Sequence, residues 1–316
     1  MAHMVETMAY AGEVPWHGLG VEVNPNLSPK EMMKEANVDW TVEKRPLYYN
    51  GLDKKEVIPG KEALIRTSDG QLLDVVGTNW KPLQNEDAFN FFNDFVNAGD
   101  MEMHTAGSLD NGRRVWALAK VKDSFEVFKN DQVDQYLLFS NPHKYASCID
   151  VRMTPIRVVC NNTLSFALEA NAERMVQVTH RNNFNPDMVK ETLGVAKEKL
   201  DTYKEAAKFL ASKRTKQFDV NEYMDKIFPS LGYRTLKKGE NRISKSAQYA
   251  VDVMDTQPGA EFGKGTWWQA FNAVTYTIDH AYGLDQDKRI NSAWFGANAK
   301  KKTMALQKAI EYAEAA

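Results

Sequence analysis

The period of the hydrophobic pattern changes once along this chain of 316 residues, at Pro186, and that change constrains the fold more than any single motif. Before it, short runs rich in β-branched and aromatic residues are broken by Asn50-Gly51, Asp69-Gly70 and Asp110-Asn111-Gly112, which tolerate the positive φ of tight hairpin turns. After it, helical spacing holds over 187–211, 219–228, 243–254, 264–281 and 298–314, with a loop expected from Gly283 to Asn291. The order predicts an α+β protein: a strand-rich, antiparallel region over 1–185 with a β-β-β-α type core, then a mainly helical region over 186–316 packed on it. Parallel βαβ units are not indicated.

Local signals refine this plan. Ser28-Pro29-Lys30-Glu31 has the form of a capping box at a helix start. Asn85 is the expected cap of a helix carrying Phe89, Phe92, Phe95 and Val96 and ended by Gly99. Strands are expected over 102–109, 113–122, 133–140 and 147–159, followed by a short helix beginning near Asn161 or Asn162. Along 113–122, Val115, Ala117, Ala119 and Val121 fall on one face and Arg114, Trp116, Leu118, Lys120 and Lys122 on the other.

Composition excludes several classes. Hydrophobic residues at 43% and charged residues at 26% do not describe a disordered chain. Cys148 and Cys160 are too few for a disulfide framework or a four-thiolate metal site. No apolar run approaches a membrane span, and the first twenty residues lack the apolar stretch of a secretory signal, so a soluble, cytoplasmic protein is expected. Net charge is -2, yet residues 190–250 hold 14 basic and 8 acidic residues while 1–100 hold 9 and 16.

Enzymatic signatures are sparse. Neither phosphate-cradling glycine motif is present, and the histidines at 3, 17, 104, 143, 180 and 280 include no helical i, i+4 pair. No catalytic residue, metal or cofactor is expected. A thiol hydrolase built from Cys160, His143 or His180, and Asn161 is the enzymatic rival, but Cys160 closes the apolar run Val158-Val159-Cys160 and reads as a packing residue. Trp16-His17 reads as a plug of the core or as a ligand clamp. In Trp267-Trp268 one ring is expected in the core and the other under a neighbouring helix or a second protomer, which hints at oligomerisation.

Cations beside aromatic residues suit unpaired nucleic acid, because ammonium and guanidinium groups pair with phosphates while rings stack on bases. The candidates are Arg113, Arg114, Trp116, Lys120, Lys122, Tyr136, Lys144, Arg152, Arg157, His180 and Arg181, with a second run at Arg234, Lys237, Lys238, Arg242 and Lys245. Their bland alternative is a solvated surface, with Arg152 and Arg157 pairing with Asp134 and Asp150.

Five strings stand together in order: Gly12 to Gly20 with Pro15-Trp16-His17; Val76-Gly77 to Pro82-Leu83-Gln84-Asn85; Ala106-Gly107-Ser108-Leu109 with Gly112-Arg113-Arg114-Val115-Trp116-Ala117; Thr154 to Leu164; and Gly265-Thr266-Trp267 with Asn272-Ala273-Val274 and Asp279-His280. They resemble the phage/plasmid-like protein family of bacterial mobile elements, catalogued as a domain of unknown function. Ser140-Asn141-Pro142-His143-Lys144 departs from the Asn-Ser-His-Asp-Gly type turn of that family. The resemblance implies a phage or plasmid setting, and the β-β-β-α order is similar to that of ring-forming single-strand annealing recombinases. Together these make the expected function non-enzymatic, ATP-independent binding and annealing of single-stranded DNA by a homo-oligomer, a ring among its forms. The alternative is a phage protein that binds a host or replication protein through its C-terminal helices.

Overall fold

In this computed structural model, residues 4–12, 18–157, 162–163, 175–229, 244–283 and 288–315 are described, with the backbone alone at 157, 162–163, 175, 192–200 and 290. The elements are, in order, β1 (Val5–Ala11), β2 (Val21–Val23), α1 (Pro29–Glu35), β3 (Val42–Asn50), β4 (Lys55–Arg66), β5 (Leu72–Gly77), α2 (Asn85–Asn90) and α3 (Asn93–Asn97). There follow β6 (Met101–Leu109), β7 (Arg114–Glu126), β8 (Gln132–Pro142), β9 (Cys148–Arg157), β10 (Asn162–Thr163) and β11 (Met175–Thr179). Helices complete the chain: α4 (Pro186–Ser212), α5 (Gln217–Ile227), α6 (Lys245–Asp252), α7 (Trp267–His280), α8 (Arg289–Phe295) and α9 (Ala297–Glu314). The α+β class with strands early and helices late is what the change of period predicts.

Two sheets form. One has eight strands in the order β10-β9-β8-β7-β6-β1-β2, with β11 also paired to β9; the other is β3-β4-β5. β1 runs parallel to β2, a short edge that the hairpin signals do not indicate, whereas β1 with β6, β6 with β7, β9 with β10 and β11, and β4 with β3 and β5 are antiparallel. The Asp110-Asn111-Gly112 turn has φ of 55°, 55° and 80°, the left-handed backbone its residues were read to tolerate. Gly107 answers to a tighter demand: a Cβ there would lie 2.3 Å from the Thr7 carbonyl oxygen on β1. Gly107→Ala should therefore push β1 from β6 and cost about 1–3 kcal/mol, read as a lowered denaturation midpoint. A midpoint equal to wild type would contradict the strand spacing.

By contacts the chain divides into two compact units that interleave in sequence: Met1–Lys122, Tyr136–Met153 and Ala172–Ala196 in the first, Asp123–Gln135, Thr154–Asn171 and Lys197–Ala316 in the second. In the first, the Val115, Ala117 and Ala119 face of β7 meets Met32, Met33 and Ala36 at α1, Leu64, Leu73 and Val76 of the small sheet, and Phe89, Phe91 and Phe92. Each such phenylalanine contributes about 2–3 kcal/mol by leaving water. Phe91 and Phe92 are adjacent and both buried, which one straight helix would set about 100° apart; the helix expected after residue 85 is instead split into α2 and α3 around them. The cap was also misplaced. Gln84 occupies the N-cap position, and Asn85 turns inward to donate to the Val38 and Trp40 carbonyls at 3.0 and 3.3 Å.

In the second unit, Trp267 and Trp268 are both fully buried among residues of their own chain. Trp267 stacks on Tyr312 with centroids 5.3 Å apart, and the Trp268 indole N–H donates to Asp131 at 2.9 Å. The pair therefore needs no second protomer to cover it, which removes the reason it gave for oligomerisation. Asp279 receives the Lys302 ammonium at 2.8 Å, and Lys302 is 0% exposed. At two places the described residues depart from the expected elements, the rest of the helix expected after residue 162 lying outside them. Asn162 and Thr163, at the expected helix start, pair with Arg157 and Ile156 as β10, and α8 occupies part of the expected loop before residue 291.

Candidate functional site

Along the predicted cation track, burial differs from residue to residue. Trp116 and Tyr136 are 2% and 6% exposed, so neither offers a face on which a base could stack. The face of β7 opposite the α1 side is thus interior as well, and Leu118 lies buried beside Trp116. Arg114 donates to the Ser140 hydroxyl at 2.6 Å, and burial pulls its pKa down to about 10, opposed by the charge of Asp150. Asp150 also pairs with Arg152 at 3.4 Å, while its own carboxyl is pushed up, chiefly by burial. Arg114 and Arg152 are thus brought together, but around a carboxylate.

The remaining candidates are scattered. Lys144 pairs with Asp110 at 3.8 Å, and Arg113 is half-buried with its carbonyl accepting from the His143 N–H. Lys120 and Lys122 lie six and eight residues beyond Arg114 on β7, Lys120 half-buried and Lys122 exposed. Lys245 is exposed at the start of α6. Arg234, Lys237, Lys238, Arg242, Trp16, His17, Cys160 and Asn161 lie outside the described residues, as does the Arg157 side chain. His180 and Arg181 stand elsewhere, in the turn after β11.

That turn borders a cleft of about 420 Å³ within the first unit, lined by Lys81, Pro82, Leu83, Asp87, Asn90, Phe91, Ile149, Asn182, Asn183, Phe184, Pro186 and Lys190. Its floor is apolar, with Leu83 and Phe91 buried. Its rim is polar. Lys81 Nζ donates to Asn183 Oδ1 at 2.8 Å, a neutral partner, and among the described residues it has no carboxylate. Lys190 is ion-paired with Asp94. Arg181 is exposed one residue before Asn182.

The wall bearing Lys81 is held rigidly, for reasons visible in the Pro82-Leu83-Gln84-Asn85 string. Lys81 N–H donates to the His180 carbonyl at 2.6 Å, and His180 Nδ1 lies 3.0 Å from the Lys81 carbonyl, an acceptor, which places the imidazole proton on Nδ1. His180 stacks on Trp80 at 4.1 Å. The Leu83 carbonyl accepts from Asn141 Nδ2 at 2.9 Å, and the Gln84 amide both donates to and accepts from the Val42 backbone at 2.9 Å. Asn85 Oδ1 then receives His143 Nε2 at 2.9 Å. Asn85, Asn141 and His143 are all buried, and burial depresses His143 to about 3 and His180 to about 4. These imidazoles are therefore neutral structural pins near neutral pH rather than phosphate ligands.

Sequence reasoning missed Lys81, Asp87, Asn182, Asn183 and Lys190. Their signal is divided between the string around Pro82-Leu83-Gln84-Asn85, which carries the resemblance, and the turn that follows Arg181. What the fold and cleft define is a class, α+β proteins with a mostly antiparallel sheet and a cleft floored by aromatic residues and rimmed by lysine and asparagine. The chain belongs to the DUF932 family, a domain of unknown function, whose model matches residues 72–310. No curated protein and no solved structure matches it. The match takes in every cleft residue and begins beyond β3 and β4. Among the described residues, no helix is long and apolar enough to cross a membrane.

Proposed function

We propose that this chain binds unpaired nucleic acid without performing chemistry on it, and that annealing of complementary strands in a phage or plasmid setting is the finer form of that activity. The supporting observation is the cleft: Lys81, free of any carboxylate partner among the described residues, stands on a pinned wall above an aromatic and aliphatic floor. Lys81 and Arg181 hold phosphates, and Lys190, already paired with Asp94, adds less. This moves the binding surface from the strand faces, where Trp116 and Tyr136 are interior, to the segments 81–91 and 181–190.

A labelled oligonucleotide titrated at about 50 and about 200 mM salt tests the reading, since each phosphate contact releases counterions and steepens the salt dependence. Binding that weakens at the higher salt is expected, with Lys81→Ala lowering affinity about three- to tenfold and the salt slope by about 0.7–1. Absence of binding at the lower salt, or indifference to salt, rejects it. Size exclusion with and without a long oligonucleotide tests the homo-oligomer. The rival reading, a protein partner on the C-terminal helices, has Phe218 on α5 in its favour, 71% exposed. It expects Phe218→Ser, rather than Lys81→Ala, to abolish function.

A further inference from the structure

The cleft carries a group that a phosphate would avoid. Asp87 on α2 is exposed, and among the described residues its carboxylate has no ion-pair partner. Asn90, one turn on, shares its side of the helix and also lines the cleft. Asn182 stands across the rim, exposed. A strand entering here has one electrostatically sensible orientation, phosphate toward Lys81 and base edge toward Asp87.

An ionised carboxylate only accepts hydrogen bonds. Cytosine presents an amine donor at N4, whereas thymine and uracil present O4 and O2 on either side of a single N–H. We infer that the cleft selects unpaired bases bearing an exocyclic amine, cytosine over thymine or uracil, with Asp87 as the discriminating acceptor. The inference rests on the reading of the cleft as a nucleic-acid site. About 420 Å³ is room for one nucleotide, in the range of about 300–1,000 Å³ usual for small-ligand sites, and the Phe91 and Phe184 side accepts the face of a base.

The test is anisotropy of the intact protein with labelled oligo(dC), oligo(dT) and oligo(dU) of equal length, at about pH 7.5 and about 50 mM salt. These pyrimidines stack weakly on themselves, and oligo(dU) removes the thymine methyl as a variable. Oligo(dC) should bind about tenfold more tightly than the other two, and Asp87→Asn, whose amide can also donate, should bring all three within about twofold. Asp87 is exposed, so the Asp87→Asn variant should melt with wild type, which checks its fold. Equal wild-type affinities, or a preference that survives Asp87→Asn, overturn the inference while binding itself still stands. If no oligonucleotide binds the wild type, the inference and the proposed function fall together.

Discussion

Lys302→Met should lower the stability of the helical unit by about 3–5 kcal/mol, because it strips the Asp279 carboxylate of an ammonium partner in a place water does not reach. The pair lies 2.8 Å apart with Lys302 wholly buried, so neither group can be rehydrated in the folded state. A loss of that size should lower the melting temperature by about 10 °C. The indoles of Trp267 and Trp268 are buried in the same unit and report the unfolding by fluorescence. Lys302→Met combined with Asp279→Leu should recover most of the loss, since an apolar pair of similar volume carries no desolvation penalty. A single-variant loss under about 1 kcal/mol would mean that the pair is solvated. The same geometry accounts for Asp279 in the string Asp279-His280: it is a buried counter-charge between α7 and α9.

Acid should weaken the strand-rich unit well before its carboxylates are neutralised. His143 and His180 have folded pKa values of about 3 and about 4, against 6.5 for a free imidazole. Burial is the first cause in both; the charge of His180 adds to it for His143, while the Lys81 and Pro142 carbonyls oppose it for His180. Between about 4 and about 6.5 the unfolded chain therefore takes up protons that the native one refuses, so stability rises with pH across that window. Above about pH 7 both rings are neutral in either state and the penalty vanishes. At pH 5 each imidazole costs about 2 kcal/mol, about 4 for the two. Urea midpoints at pH 7.5 and pH 5 should show this drop, with His143→Gln flattening about half of it. Ring NMR signals that titrate near 6.5 in the folded protein would refute the assignment directly.

Much of the secondary structure was legible because it depends on local chemistry. Ser28 and Glu31 form the expected reciprocal cap, and the alternation along β7 sends Val115, Ala117 and Ala119 to the predicted face. What local chemistry does not reveal is the second face. Arg114, Trp116 and Lys120 read as a surface because alternation implies one dry side, yet the central strands are covered on both. Asn85 misled for a related reason: asparagine before an amphipathic run is a common cap, but here the carbonyls of Val38 and Trp40, more than forty residues away, claim its amide. The cleft escaped notice because it joins residues about a hundred positions apart, Lys81 and Asn183, and neither stands in a pattern with short-range meaning. Similarly, the change of period at Pro186 marks where strands give way to helices, while the compact units are divided by contacts that a periodicity cannot register.

The interleaving of those units bears on how the chain is made. The first unit closes only when the stretch ending at Ala196 is present, so a ribosome must deliver more than half of the 316 residues before β9 gains β11 and the cleft gains the wall that bears Asn182 and Asn183. During that interval the nascent strands pair while the core they share still lacks Val176, Val178 and Val189, a state that invites aggregation or chaperone capture. Slower translation ahead of Ala196 should then lower the yield of native protein, whereas the same delay after it should matter little.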